Sequence, residues 1–231
     1  MPNTKITRQK WKDHLAYAKK VYIIGALIAA GVASLIFSVT RYVAPNERAV
    51  IIQLVDTYAD TTKLDNDIPH LLAAGQETDA SLEEVSFLTI SYNGEQTSDY
   101  TSSQVYTVQV YAGDNDIYVQ NKLLTDQMIN EGYVVQLETL DGFEEFNEKY
   151  GEYVVWKAIE KGEDEEEKEY LDYQEHAYAI DVSSLLGINQ RGAYDVREKF
   201  AVIVISSKNI STSFDVLAEM FEYFQPSEVY E

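Results

Sequence analysis

The stretch Tyr111–Leu140, "YAGDNDIYVQNKLLTDQMINEGYVVQLETL", contains the ingredients of a strand–helix–strand unit. Gly113-Asp114-Asn115-Asp116 has turn chemistry, since Gly supplies positive φ and Asn and Asp bond their own backbone. "DIYV" (116–119) is short, apolar and β-branched, which predicts a strand. In "NKLLTDQMINEG", Leu123, Leu124, Met128 and Ile129 share one face of a helix, and Gly132 stands where a helix C-cap belongs. "YVVQL" (133–137) is a further short extended piece. Alternating strand and helix predicts βαβ units and a mainly parallel central sheet.

Working outward, "AVIIQLVD" (49–56) is a continuous β-branched run, as in a strand buried on both faces. Leu64, Ile68, Leu71 and Leu72 recur at helical spacing. Pro69 requires that helix to start near Asp65 or Asp67, and Gly75 is expected to end it. "EEVSFLTIS" (83–91) reads as the next strand, and "HAYAIDV" (176–182) and the stretch 199–205 as two more. Near the C-terminus, Phe214, Leu217, Phe221 and Phe224 form one apolar helical stripe, with Ser211 or Ser213 as the expected cap and Pro226 as the stop. The like-charge block 160–169, "EKGEDEEEKE", predicts an exposed loop or hairpin tip.

Residues 101–112, "TSSQVYTVQVYA", are locally ambiguous. Valine, threonine and tyrosine favour a strand, whereas Val105, Val108 and Ala112 share a helical face. A resemblance decides for helix. The order of pieces, with Ala112, Gly113, Asp114, Asp116, Ile117, Gly132, Val135 and Leu137, resembles the first lobe of bacterial extracellular solute-binding proteins of the carbohydrate type. "HAYAIDV" and "FAVIVISSKNISTSFDVLAEMFEYF", with its Ser207-Lys208-Asn209 turn, are similar to later pieces of that lobe. The resemblance implies an α/β fold over 49–224 and a binding role rather than an enzymatic one. It also implies a departure, because the family closes two lobes on its ligand and this chain has length for only one. A single wall leaves a small solute exposed.

The first 48 residues are of another kind. "VYIIGALIAAGVASLIFSV" (21–39) carries no charge and is close to the roughly 20 residues that cross a bilayer. Residues 1–20 carry +5 against −21 for the whole chain, which leaves −26 beyond them. Short basic flanks stay in the cytoplasm. The expected layout is a basic cytoplasmic arm at 1–20, a transmembrane helix at 21–39, a linker at 40–48 and an extracytoplasmic domain at 49–231. A cleaved signal peptide is the competing reading, disfavoured by the length of the run and the weak small-residue pattern after it.

The expected function is therefore a single-pass, membrane-anchored binding or docking module of bacterial type. Its partners would be membrane lipid through the helix, a membrane or extracytoplasmic protein, or a carbohydrate or other small solute held weakly. An acidic exterior excludes nucleic acid as a partner, since phosphates need clustered Lys and Arg. The chain has no cysteine and three histidines, His14, His70 and His176. It contains no nucleophile elbow, phosphate loop or metalloprotease motif. No cofactor or metal is expected: neither Asp-Asn-Asp triplet, 65–67 or 114–116, continues as a calcium loop. An extracytoplasmic enzyme acting on wall polymer or glycan is the alternative, because a carboxylate pair leaves no sequence signature.

Ligands of open α/β sheets gather beyond the carboxyl ends of the strands. That rule selects Asp56, Tyr58, Tyr92, Asn93, Gln120 and Asn121 as candidate ligand- or partner-binding residues, within the loops 56–62, 91–100 and 119–122. The 18 tyrosines are the most unusual count in the composition. On exposed loops they offer apolar area at low entropic cost.

Overall fold

The structure, a computed structural model, describes residues 7–40, 43–55, 58–94, 100–159 and 173–225. The chain separates into two compact units, Met1–Val43 and Ala44–Glu231.

The described part of the first unit is a helix, α1 (Arg8–Thr40), so most of the basic arm is helical and continuous with the apolar run. Within it Ala18–Phe37, 20 residues, are long and apolar enough to cross a membrane, and none of that segment is buried by protein. At 1.5 Å per residue this segment spans about 30 Å, the thickness of a bilayer core. Ile23, Leu27, Leu35 and Phe37 are all exposed.

The second unit is an α/β domain built on one six-stranded sheet. In chain order it runs β1 (Ala49–Val55), α2 (Ile68–Thr78), β2 (Glu84–Ile90), α3 (Tyr100–Ala112), β3 (Ile117–Asn121) and α4 (Lys122–Asn130). Then follow α5 (Phe143–Tyr150), β4 (Val154–Ala158), β5 (Glu175–Asp181), α6 (Leu186–Gln190), β6 (Lys199–Ile203) and α7 (Ile210–Tyr223). The strand order is β2-β1-β3-β6-β5-β4. β2, β1 and β3 form the expected parallel core, and β5 points the same way, so four of the six strands share one direction. β6 and β4 run against them. The helical crossovers α2 and α3 make the parallel half, as such pairs require. β4 and β5 are consecutive neighbours, paired antiparallel across the connection 159–174, which includes the acidic block. That block, 160–169, lies outside the described residues, as does Pro226.

Side chains alternate across the sheet with the period of two that a pleated strand imposes. Ile117 and Val119 of β3 and Ala201 and Ile203 of β6 face a layer containing Leu71, Phe146, Phe214, Leu217 and Phe221. Tyr118 and Val202 face the other, containing Tyr106, Val110, Leu124 and Met128. The sheet is thus sandwiched between α2, α5 and α7 on one side and α3 and α4 on the other.

Several local expectations need correction. Residues 100–112 are helical, but the buried face carries Tyr106 and Val110, while Val105, Val108 and Ala112 are exposed. Leu123 also faces solvent, and Thr125 joins Leu124, Met128 and Ile129 inside. Gly75 does not end α2, which continues to Thr78. A Cβ at Gly75 would lie 2.6 Å from Leu82 and 2.9 Å from Val216, so glycine is there to let α2 and α7 approach. The cap of α7 is Asn209, not Ser211 or Ser213, and Ser213 is fully buried. Gly113 and Gly132 do have positive φ, 66° and 76°. Behind α4 the bonds from Gly132 N to Ile129 O and from Tyr133 N to Met128 O close the helix in a Schellman turn.

Two stretches that carry the family resemblance meet in space. The Asp116 carboxylate accepts from Ile51 N at 2.8 Å and from the Ser207 hydroxyl at 2.6 Å. Asn209 donates to the carbonyls of Asn46 and Ala49, at 2.7 and 2.8 Å. The turn before β3 and the turn after β6 are therefore pinned together at the start of β1. Burial pushes the Asp116 carboxyl above its ordinary value, against the opposing effect of these donors.

Candidate functional site

In a parallel sheet, the crevice lies where successive crossovers leave in opposite directions. β1 has β2 on one side and β3 on the other, so that point falls between the carboxyl ends of β1 and β3. The crevice is filled. Tyr194, 3% exposed, reaches in from the segment after α6 and places its hydroxyl 2.9 Å from Val55 O and 3.2 Å from Val119 O. Its backbone bridges to Ala59, and Asp60 N donates to Ala193 O.

The six residues selected by the strand-end rule fall in different places. Asp56 lies outside the described residues. Tyr58 is 69% exposed on the loop after β1. Gln120 is fully buried, because its position on β3 points it under α3 and α4. Its Oε1 accepts from the Tyr106 hydroxyl at 2.7 Å, and its Nε2 donates to Met128 Sδ. Asn121 caps α4, accepting from Leu124 N at 3.0 Å, and its Nδ2 donates to Asn93 O at 2.8 Å. Tyr92 is half-buried, with its ring 5.1 Å from that of Tyr106. The structure therefore brings Tyr92, Asn93, Gln120 and Asn121 together beside α3 and α4, and leaves Tyr58 apart on the surface.

Next to Tyr92 is a cleft of about 150 Å³ between α3 and α4. Four tyrosines line it, Tyr92, Tyr106, Tyr111 and Tyr133, together with Met128 and Glu131. Tyr111 and Tyr133 stand edge to face, with centroids 5.1 Å apart and planes at 78°. Burial, then the neighbouring Tyr118, holds the Tyr106 phenol far above its ordinary range, and burial pushes Tyr118 itself up to about 12. Both hydroxyls are therefore neutral, that of Tyr106 donating to Gln120 Oε1 and that of Tyr118 accepting from Asn115 Nδ2 at 3.2 Å.

A larger cleft, about 270 Å³, separates α2, α5 and α7. It is lined by carboxylates, among them Glu77, Asp215, Glu219 and Glu222, with Lys149 2.8 Å from Glu222. Desolvation raises the Asp215 carboxyl, against a bond from Thr78 that lowers it. His70 meets Glu219 at 2.5 Å and stacks on Tyr223 at 4.3 Å. At the other end of α2, Arg191 forms a bidentate pair with Asp67, at 2.7 and 2.8 Å, and the Tyr223 hydroxyl adds a third bond at 3.0 Å. Among the described residues, no group of three or more His, Asp or Glu is placed to hold a metal ion.

Sequence reasoning did not find Tyr194, Tyr111, Tyr133 or Glu131. Their neighbours are distant in the chain, so no local spacing marked them. The tyrosine count was the one available signal, and it does not say which rings converge.

No family model matches the chain, and no curated protein matches it in sequence. Among solved structures it is similar to the substrate-binding protein of a spermidine/putrescine ABC transporter from Streptococcus pneumoniae, crystallised with calcium and HEPES. The identity is 13%, the TM-score 0.35, and the match covers 76% of this chain and 78% of that one. A TM-score of this size transfers neither a ligand nor a mechanism.

Proposed function

We propose that the chain is a single-pass, membrane-anchored docking module, with residues 1–20 in the cytoplasm and the acidic domain, 49–231, outside. The observation that supports docking over enclosure of a solute is Tyr194, whose ring and hydroxyl occupy the strand-end crevice where a small ligand would otherwise sit. With that crevice closed by the chain itself, the recognition surface is carried by the strand-end loops 56–62 and 91–100, with Tyr58 exposed on the first and Gln120 of 119–122 buried and taking no part. Such a surface suits a protein partner that brings its own wall, whereas a free sugar or amino acid would stay largely exposed on it. The membrane assignment is supported by α1, whose segment Ala18–Phe37 is long and apolar enough to cross a membrane and has no protein cover, and by the +5 carried by residues 1–20.

Two measurements test this reading. Protease added to intact cells removes an epitope at the C-terminus and spares one at residue 5; protection of the C-terminus overturns the orientation. Full-length protein extracted in mild detergent retains a partner that Tyr58→Ala loses, while thermal unfolding stays unchanged because Tyr58 is 69% exposed. Intact partner recovery by that variant removes Tyr58 from the docking surface. Micromolar binding of a free oligosaccharide or amino acid at the loops defeats the docking reading itself.

A further inference from the structure

The tyrosine-lined cleft between α3 and α4 touches the docking loops only at Tyr92, and its chemistry is specific enough to name a ligand class. Its walls are aromatic: Tyr111 and Tyr133 meet edge to face and form one corner, and Tyr92 and Tyr106, 5.1 Å apart, form another. Glu131 places a carboxylate at the rim, and none of the described lining residues is Lys or Arg. Glu131 is also among the groups whose charge holds the Tyr106 phenol protonated, so its field reaches into the cleft. The volume, about 150 Å³, accommodates a small ion rather than a disaccharide.

These features discriminate between ligand types. A sugar of this size needs its hydroxyls paired around the ring, but the Tyr106 hydroxyl is already held by Gln120. A metal ion needs several carboxylate or imidazole ligands, and the cleft holds one carboxylate. A primary ammonium is strongly hydrated and has three protons to satisfy. An alkylated ammonium is weakly hydrated and is attracted by ring quadrupoles within about 6 Å of their centroids. The −26 charge beyond the arm raises the local concentration of any cation.

We propose that the cleft between α3 and α4 binds the head of an alkylated ammonium ion, with Tyr92, Tyr111 and Tyr133 as its aromatic walls and Glu131 as its counter-ion. The site meets the docking surface at Tyr92, while Tyr58 and Asn93 take no part in it. The same chemistry is offered by a free quaternary amine and by a choline headgroup.

The test uses full-length protein in maltoside micelles, which carry no ammonium group, with tetramethylammonium chloride as the probe. Saturation-transfer NMR detects contact with its methyl protons, and tert-butanol serves as a neutral compound of similar size. The expected dissociation constant is on the order of 1 mM. Tyr111→Ala, at a position 61% exposed, lowers affinity about threefold to thirtyfold. Glu131→Gln lowers it by a similar factor, and Tyr111→Phe, which keeps the ring, leaves it unchanged. Parallel titrations with choline and with monomeric dihexanoylphosphatidylcholine assign the source, the tighter ligand being the physiological type. No saturation of the tetramethylammonium methyls, equal saturation of tert-butanol, or affinity indifferent to Tyr111→Ala overturns the proposal. Loss of partner recovery in Tyr58→Ala bears on the docking surface alone, so the two readings fail separately.

Discussion

Alanine at Gly75 sets two known effects against each other. Inside an α-helix, Gly→Ala is favourable by about 0.8–1 kcal/mol through backbone entropy. Here the added Cβ would lie 2.6 Å from Leu82 Cδ2, 2.9 Å from Val216 Cγ2 and 3.3 Å from Thr212 Cγ2. Leu82 and Val216 are both buried, at 1% and 0% exposure, and a β-branched valine in a helix has one favoured rotamer. Neither can turn away freely, so α2 and α7 must separate. Overpacking of this kind costs about 1–3 kcal/mol. The packing cost outweighs the helix gain, and Gly75→Ala is expected to destabilise the domain by up to about 2 kcal/mol, a fall in Tm of up to about 8 °C for this size of unit. Thermal unfolding followed by near-UV circular dichroism reads the change. In a Val216→Ala background one of the two closest contacts is gone while Leu82 remains, so the same Gly75→Ala change should cost less than it does alone, giving a coupling of opposite sign to the single effect. A rise in Tm from Gly75→Ala alone refutes the close-approach reasoning.

Three further outcomes follow from the hydrogen-bonded groups. The folded-state pKa of Asp116 is raised by burial, so its contribution to stability is full below the unfolded value and is lost as pH rises through the folded one. Asp116→Asn, which loses an acceptor for Ile51 N or Ser207, should therefore cost about 1–3 kcal/mol and cost more at pH 4 than at pH 7 in urea denaturation; a pH-independent difference counts against the burial argument. Asn121→Ala removes the α4 cap and the link to Asn93 O, with an expected cost of about 1 kcal/mol and faster amide exchange at Leu124; unchanged exchange there contradicts the cap. Arg191→Lys keeps the charge but loses the bidentate geometry with Asp67, and should destabilise by about 1–2 kcal/mol where Asp67→Ala, leaving Arg191 without its carboxylate, costs about 3 kcal/mol. No cost from Arg191→Lys would mean the fork geometry contributes nothing.

The strands of the parallel core were legible because each is an apolar β-branched run between turn residues, and β1, β2 and β3 fall within two residues of their expected bounds. α3 was legible as a helix only through the order of its neighbours, since its own residues favour strand. Its orientation was not legible: tyrosine, with an apolar body and a polar tip, hides the difference between a core ring such as Tyr106 and a surface one such as Tyr111. α5 was missed although Phe143, Phe146 and Tyr150 recur at i, i+3 and i+7, with Glu144 and Glu145 in its first turn and Lys149 in its last, as the helix dipole favours. High charge density masked that stripe. The strand-end rule located the carboxyl ends correctly but had no means of foreseeing that Tyr194 closes them, because that contact spans 139 residues from Val55.

The pinning of Asp116 by Ser207 and of Asp67 by Tyr223 and Arg191 has a consequence for how the chain is made. The first helix of the domain obtains the partners of its N-terminal carboxylate from residues 124 and 156 positions later. At about 5–20 residues per second, the ribosome needs roughly 10–30 s to cover the longer gap. β3 likewise waits for β6, and α2 for the face of α7 that Gly75 admits. Until β6 has emerged the parallel core has an open edge beside β3, and until α7 has emerged it keeps an uncovered apolar face, both prone to wrong pairing. Ribosome-bound chains that stop near residue 205 should thus remain protease-sensitive throughout the domain, and protection should arrive in one step as the last helix clears the exit tunnel.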